Sequence, residues 1–352
     1  MNRPPSLLFG IPIADVTMAE TVDLIGDLVQ RGRHDGHTFQ IATVNVDFLV
    51  NAIDDSEIHA TLQGADVCLA DGTPVVWAAR LLGMPLRERV AGSDLLPELV
   101  ARSESTGWRI HVLGSAPAVA ERAVAMMRSR YPAAAFTVDP GPIIDDPADV
   151  DPATIESIVR AAPDILCVAL GNPKQERFIA AYRERLGVPV LIGVGGSLDM
   201  FTGERKRAPR WVQRIGFEWV VRALQEPRRL GPRYLHDIRV FGPRLASVWR
   251  ASRRRRRHGA IELALTPSEV TVTCAPVGAP GGASWSDAVA HLDTGAALHI
   301  GPPTRLGDAA AAQLVGLLQH ARAHHIAVHA PSAAELAAAL DGIGVSWTTL
   351  RS

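Results

Sequence analysis

Asp71 is the side chain best placed for chemistry in this sequence. It follows the apolar run Val67-Cys68-Leu69-Ala70 and precedes Gly72-Thr73-Pro74. A carboxylate between an apolar strand and a helix loses part of its hydration, which raises its pKa towards the range of a general base. The competing role is structural: Asp71 can cap the helix that Pro74 begins, or close an Asx turn through Gly72. Thr43 and Asn45 can hydrogen-bond a polar ligand, or serve as turn and cap residues. Arg89 is a candidate phosphate or sugar ligand, or else the partner of Glu88 or Asp94 in a surface ion pair.

The second group of polar residues is Gly171-Asn172-Pro173-Lys174-Gln175-Glu176, which interrupts the apolar run 164–170. Asn172 reads as an N-cap and Pro173 as the first helical residue, so Gln175 falls in a first turn whose amides are free. Gly193, Gly195 and Gly196 can cradle a phosphate or simply permit a tight turn. No acidic residue follows them at the spacing of a dinucleotide fingerprint, which argues against NAD. Asp149-Val150-Asp151 has a DxD pattern suited to a divalent ion, but it lies among prolines, where Asp151 suits the cap of a helix from 153.

These residues need elements to hold them. Apolar runs of strand length at 7–13, 38–43, 66–70, 109–113, 136–138, 164–170 and 188–194 alternate with helical patterns at 17–30, 47–53, 74–82, 118–130 and from 172. That order predicts a Rossmann-like α/β fold, a largely parallel sheet with helices on both faces. Thr43, Asn45, Asp71, Gly171 to Gln175, Gly195 and Gly196 all follow strands directly. In a parallel sheet they converge on one crevice beyond the carboxyl ends.

The chain has 352 residues and a net charge of -1, enough for two or three domains. Residues 205–257 carry 17 Lys and Arg against Glu218, Glu226 and Asp237. That segment is strongly basic, so the remainder is acidic, and the two want different neighbours. Cys68, Cys167 and Cys274 each stand alone in an apolar run, which suits buried free thiols and not a zinc or redox site. The N-terminal apolar stretch is too short for a signal peptide, and no run reaches the ~20 residues of a membrane-spanning helix. A cytoplasmic protein is expected.

Five blocks carry a resemblance: ATVNVDFLV (42–50), ADVCLADGTPVVWAARLLG (65–83), RERVAGSDLLPEL (87–99), GNPKQE (171–176), and the stretch from GVGGSLDMFTGERKRAP to GPRYL (193–235). In this order they closely resemble the WecG/TagA/CpsF family of bacterial glycosyltransferases, over roughly residues 8 to 240. The resemblance implies an inverting transfer from a UDP-sugar, N-acetylmannosamine by default, to a polyprenyl-pyrophosphate-linked sugar in surface polysaccharide or wall-polymer assembly. It implies Asp71 as catalytic base, a site role for Gln175, and neither metal nor cofactor. Thr43, Asn45, Arg89, Asn172, Gln175, Gly195 and Gly196 are the expected substrate-binding residues.

Between 203 and 250 the apolar residues Trp211, Ile215, Trp219, Val220, Leu224 and Leu230 alternate with arginines. That amphipathic pattern suits an anionic membrane surface, or a helical pair packed on the core. The resemblance implies that this appendage meets both membrane and site, with Arg222, Arg228 and Arg229 as candidates to neutralise a pyrophosphate. The run 251–259, with its five arginines, is expected as a charged linker that touches lipid, and no nucleic-acid motif accompanies it. Residues 260–352 form an Ala-rich α/β pattern that resembles a STAS domain, with Asp308 where such domains often carry a phosphorylatable serine. A docking or regulatory platform for a protein partner is expected there, dispensable for the core chemistry. The alternative to an enzyme is a scaffold that binds lipid-linked sugar.

Overall fold

The first apolar run, expected as a single strand, turns back on itself. β1 (Ser6–Leu8) and β2 (Ile11–Ile13) pair antiparallel, with Leu8 opposite Ile11. Phe9 and Gly10 between them both have positive φ, 54° and 82°, as in the two-residue turns that match strand twist. A phenylalanine in the turn keeps the run apolar and hides the break. The computed structural model describes residues 3–141, 144, 146–147, 149–203, 208–209, 212, 217–255, 260–275, 282–301, 306–330, 333–341 and 343–346.

Six further strands complete the first sheet: β3 (Phe39–Val44), β4 (Val67–Ala70), β5 (Arg109–Leu113), β6 (Ala135–Asp139), β7 (Ile165–Val168) and β8 (Val190–Gly193). Their order is β1-β2-β4-β3-β8-β7-β5-β6, and every pairing except β1–β2 is parallel. The helices are α1 (Met18–Asp35), α2 (Val46–Asp54), α3 (Ser56–Gly64), α4 (Thr73–Leu82), α5 (Gly92–Thr106), α6 (Pro117–Arg130), α7 (Pro152–Ala161), α8 (Lys174–Leu186) and α9 (Ser197–Phe201). Thr17 starts α1 with a full capping box.

Helices cover both faces because the central strands are apolar on both. Ile41, Cys167 and Ile192 pack against α1 and α5 through Ile25, Leu95 and Leu99. On the other face Ala42 and Val44 meet Phe48 and Leu49 of α2, and Leu166 and Val168 meet Phe178 of α8. The neighbouring strands β3 and β8 send their chains to opposite faces, since α2 joins the second cluster and Leu198 of α9 the first. That is a topological switch point, where an open α/β sheet leaves a crevice.

Beyond the sheet come α10 (Glu218–Gln225) and α11 (Pro227–Arg255). Phe241, Leu245, Val248 and Trp249 of α11 lie against the core face that α2 and α4 share. The helix runs through 251–255, where a linker is expected, and the Arg253 guanidinium stacks 3.9 Å from the Trp249 ring. Residues 256–259 lie outside the described residues, as do Trp211 and Ile215. No helix among the described residues is long and apolar enough to cross a membrane.

A second sheet, β12-β11-β10-β9, is built from β9 (Ala260–Thr266), β10 (Glu269–Ala275), β11 (Ala297–Ile300) and β12 (Val328–His329). Helices α12 (Trp285–Leu292), α13 (Asp308–Ala323) and α14 (Ala333–Asp341) accompany it. Val345 and Ser346 are in irregular structure, and 347–349 lie outside the described residues. This unit is packed on the first and does not hang from a tether. Leu7 of β1 belongs to its apolar core, and Gly316 of α13 approaches Pro5 so closely that a Cβ there would sit 2.5 Å from the ring. Arg322 donates to Gly64 O at 2.7 Å, and Gln63 Nε2 to Gly344 O at 2.8 Å. Deleting 260–352 therefore uncovers Leu7 and strips these partners, so the module is part of the folded body.

Candidate active site

At the switch point lies a cavity of about 480 Å³. Thr43, Asn45, Asp71, Arg89, Asn172, Gln175, Gly195, Gly196 and Arg222 all line it. Asp71 stands at the end of β4, its amide bonded to Val44 O at 2.8 Å. The cap alternative does not hold, because α4 starts on Gly72 (φ 122°) with no side-chain cap. Burial pushes the Asp71 carboxyl up to about 6, with Asp94 and Glu218 adding to the rise and Arg89 and Arg222 pulling it back. An acid with that pKa is ionised at neutral pH and still basic enough to take a proton.

Arg89 combines both of its expected roles. It lines the cavity, and it donates to Asp94 at 2.6 Å and to Glu218 at 3.3 Å. The second bond ties α10 to the core. Its charge is thereby largely spoken for, whereas Arg222, one turn on from Glu218, has no ion pair among the described residues. Arg222 is the cation left for an anionic ligand. Arg228 is exposed and does not line the cavity; the Arg229 side chain lies outside the described residues.

The glycine loop is held by a relay. Gly195 N–H donates to Gln175 Oε1 at 2.9 Å, and Gln175 Nε2 donates to Glu176 Oε1 at 2.8 Å. Gly193 makes room for this pair, since a Cβ there would sit 2.4 Å from Gln175 Nε2. The Gly195 amide is thus engaged internally and not offered to a phosphate. Glu176 is only 1 % exposed and its Oε2 has no partner. Burial pushes its carboxyl up to about 8, so it is protonated at neutral pH.

Asn172 does not cap α8; the helix begins at Lys174 after a cis Asn172–Pro173 bond. Its side chain instead donates to Asp47 Oδ2 at 2.7 Å. Asn45 caps α2 by accepting from Phe48 N at 3.2 Å, and the Thr43 hydroxyl donates to Gly193 O at 2.7 Å. Both residues therefore brace the strand ends while facing the cavity. Lys174 turns away to Ile144 O, at 2.8 Å. Asp151 caps α7 through Ala153 N at 2.9 Å, which accounts for half of the DxD pattern. Asp308 opens α13 in the second unit and does not line the cavity.

Several lining residues escape the sequence reading: Asp47, Glu218, Arg233, Tyr234 and Asp237. Arg233 Nε meets Asp47 Oδ1 at 2.6 Å, a second tie between appendage and core. The available signal was helical spacing, with 230, 233, 234, 237, 238 and 241 on one stripe. Among the described residues, the His and Asp side chains close enough to share an ion are Asp293, His320 and His324, in the second unit. They are already bonded to one another: His320 Nε2 lies 2.9 Å and His324 Nδ1 3.2 Å from Asp293 Oδ1.

A desolvated acid and a guanidinium lining one cavity, at the switch point of an α/β sheet, are equipment for group transfer from an anionic donor. The chain belongs to the glycosyl transferase WecG/TagA/CpsF family, whose profile matches residues 6–258. It is similar to the N-acetylglucosaminyldiphosphoundecaprenol N-acetyl-beta-D-mannosaminyltransferase of Bacillus subtilis (strain 168), 36% identical over 189 residues that cover 54% of this chain and 72% of the relative. The protein of the same description from Staphylococcus aureus (strain MW2) is 29% identical over 244 residues, 69% of this chain and 92% of the relative. Residues beyond 258 fall outside the family match.

Proposed function

We propose that this glycosyltransferase moves N-acetylmannosamine from its UDP derivative to the N-acetylglucosamine of a polyprenyl diphosphate, in assembly of a wall polymer or surface polysaccharide. The sugars and the lipid diphosphate are those in the names of the two relatives. The observation that carries the reading is Asp71, held at a pKa of about 6 in a cavity that Arg222 also lines. Asp71 takes the proton of the acceptor hydroxyl as that oxygen attacks the anomeric carbon. The bond from anomeric carbon to diphosphate oxygen breaks on the opposite face, giving inversion. Arg222 meets the charge that develops on the departing UDP.

The acceptor's lipid calls for a membrane-facing surface on the cytoplasmic side. Leu224, 75 % exposed, with Phe217, Leu235 and Ile238 also exposed on the appendage, supports that placement. The test is UDP release from UDP-N-acetylmannosamine, with a short-chain polyprenyl-diphosphate-N-acetylglucosamine acceptor. Release that depends on acceptor and drops 10²- to 10⁴-fold in a folded Asp71→Asn variant is expected. Equal release by the variant would remove Asp71 as the base, and no release from wild type would remove the reaction.

A further inference from the structure

One face of α11 lines the cavity, and it carries a buried acid, Asp237. Asp237 lines the cavity and is 4 % exposed, and its side chain makes no hydrogen bond or ion pair among the described residues. Arg233, one turn earlier and the natural partner at that spacing, is engaged with Asp47 at 2.6 Å. Burying a carboxylate without a donor is costly, so such a group facing a cavity calls for donors from outside.

The surroundings narrow what those donors belong to. Burial pushes the Asp237 carboxyl up to about 6, with Asp47 adding to the rise and Arg233 and His236 pulling it back. With Arg233 already paired to Asp47, a second acid makes this end of the cavity a poor place for phosphate. Trp219 and Tyr234, whose rings meet edge to face at 6.0 Å, also line the cavity. An aromatic wall beside a hydrogen-bond acceptor matches a pyranose ring, which has apolar C–H faces and a rim of O–H and N–H donors. Arg222, the cation lining the cavity without an ion pair among the described residues, is left to the diphosphate.

We propose that Asp237 is a specificity-determining ligand of a sugar ring in this cavity, accepting hydrogen bonds from its hydroxyl or N-acetyl N–H groups. The inference rests on the transferase reading and adds to it a residue of the appendage. The sugar can be that of the nucleotide donor or that of the lipid-linked acceptor, and the measurement separates the two.

The experiment is isothermal titration of the full chain with UDP, with UDP-N-acetylmannosamine, and with a soluble polyprenyl-diphosphate-N-acetylglucosamine analogue, for wild type, Asp237→Asn and Asp237→Ala. Loss of bonds to a charged acceptor should weaken one sugar ligand about 10- to 100-fold, leave UDP alone unchanged, and raise KM more than it lowers kcat. Weakening of the UDP-sugar assigns the donor ring; weakening of the analogue assigns the acceptor ring. Removing an unsatisfied acid should hold or raise the melting temperature, whereas a structural role would lower it and weaken all ligands alike. Folded variants that bind both sugar ligands like wild type overturn the subsite alone. A wild type that binds neither overturns the transferase reading together with the subsite.

Discussion

The two sheets of this molecule treat their ionisable groups in opposite ways. Around the cavity, Asp71 and Asp237 are desolvated and their carboxyl groups make no hydrogen bond or ion pair among the described residues, and Glu176 leaves one oxygen bare. In the second unit, His320 and His324 turn their ring nitrogens to a single carboxylate, Asp293, and Arg31 of α1 reaches His324 Nε2 at 3.2 Å. The first arrangement stores unmet hydrogen-bonding capacity, which a ligand can satisfy. The second is closed, and its product is adhesion between the two units. Buried charge is a sign of function only where its bonds are left open.

The comparison is sharpest at the arginines of the appendage. Arg222 lines the cavity without an ion pair among the described residues, whereas Arg228 is exposed outside it. Arg222→Ala should lower kcat about 10²- to 10³-fold, as loss of a charge-stabilising donor does. Arg228→Ala should leave turnover of a soluble acceptor within about twofold. Kinetics on both variants check this, and equal losses would mean that the cavity does not govern which arginines matter.

Acid should act on the two regions by different routes. Asp71 must be ionised to serve as base, so kcat/KM should fall about tenfold per pH unit below its pKa of about 6, and return on neutralisation. In the second unit, burial holds His324 down to about 4 and lowers His320 as well. A histidine whose folded pKa is depressed favours the folded state above its unfolded pKa near 6.5. That contribution fades as pH falls towards 4, because the unfolded chain then binds more protons. The melting temperature should drop over that window, and His324→Gln should shrink the drop. An unchanged acid profile in that variant would separate the cluster from stability.

Much of the cavity was legible because parallel strands bring their ends together. Thr43 lies at the end of an apolar run and Asn45, Asp71, Gln175 and Gly195 follow one, and period and punctuation suffice to align them. The appendage side was not legible in the same way. Asp237, Tyr234 and Arg233 sit in a basic stretch where an amphipathic helix has the same pattern whether its polar stripe meets water or a cavity. Asn172 misled for a local reason, since its cap-like context precedes a proline that is cis and outside the helix. The hairpin at Phe9 was hidden by its own hydrophobicity. The docking of the second unit rests on contacts between residues far apart in the chain, such as Arg322 with Gly64, 258 positions away, which no local pattern announces.

Glu176 tests how far an open bond can lie from the ligand and still belong to the site. It lies in the first turn of α8 and is buried beside Gln175, and Gly193 gives it the space. Its folded pKa of about 8 exceeds the 4.5 of an ordinary glutamate. For an acid shifted upward, the unfolded chain gives up its proton first, so stability declines as pH rises from about 4.5 to 8. Glu176→Gln keeps an acceptor for Gln175 Nε2 and removes the ionisation. It should therefore gain on wild type by up to about 1.4 kcal/mol per pH unit in that window, with no difference below it. Because the relay through Gln175 to Gly195 persists, kcat should change by less than about twofold. Denaturant unfolding at pH 4.5, 6 and 8 reads the first expectation and initial rates the second. A parallel stability profile would show that Glu176 is ionised in the fold, with water or an ion at Oε2, and would move it from the open class of groups to the closed one.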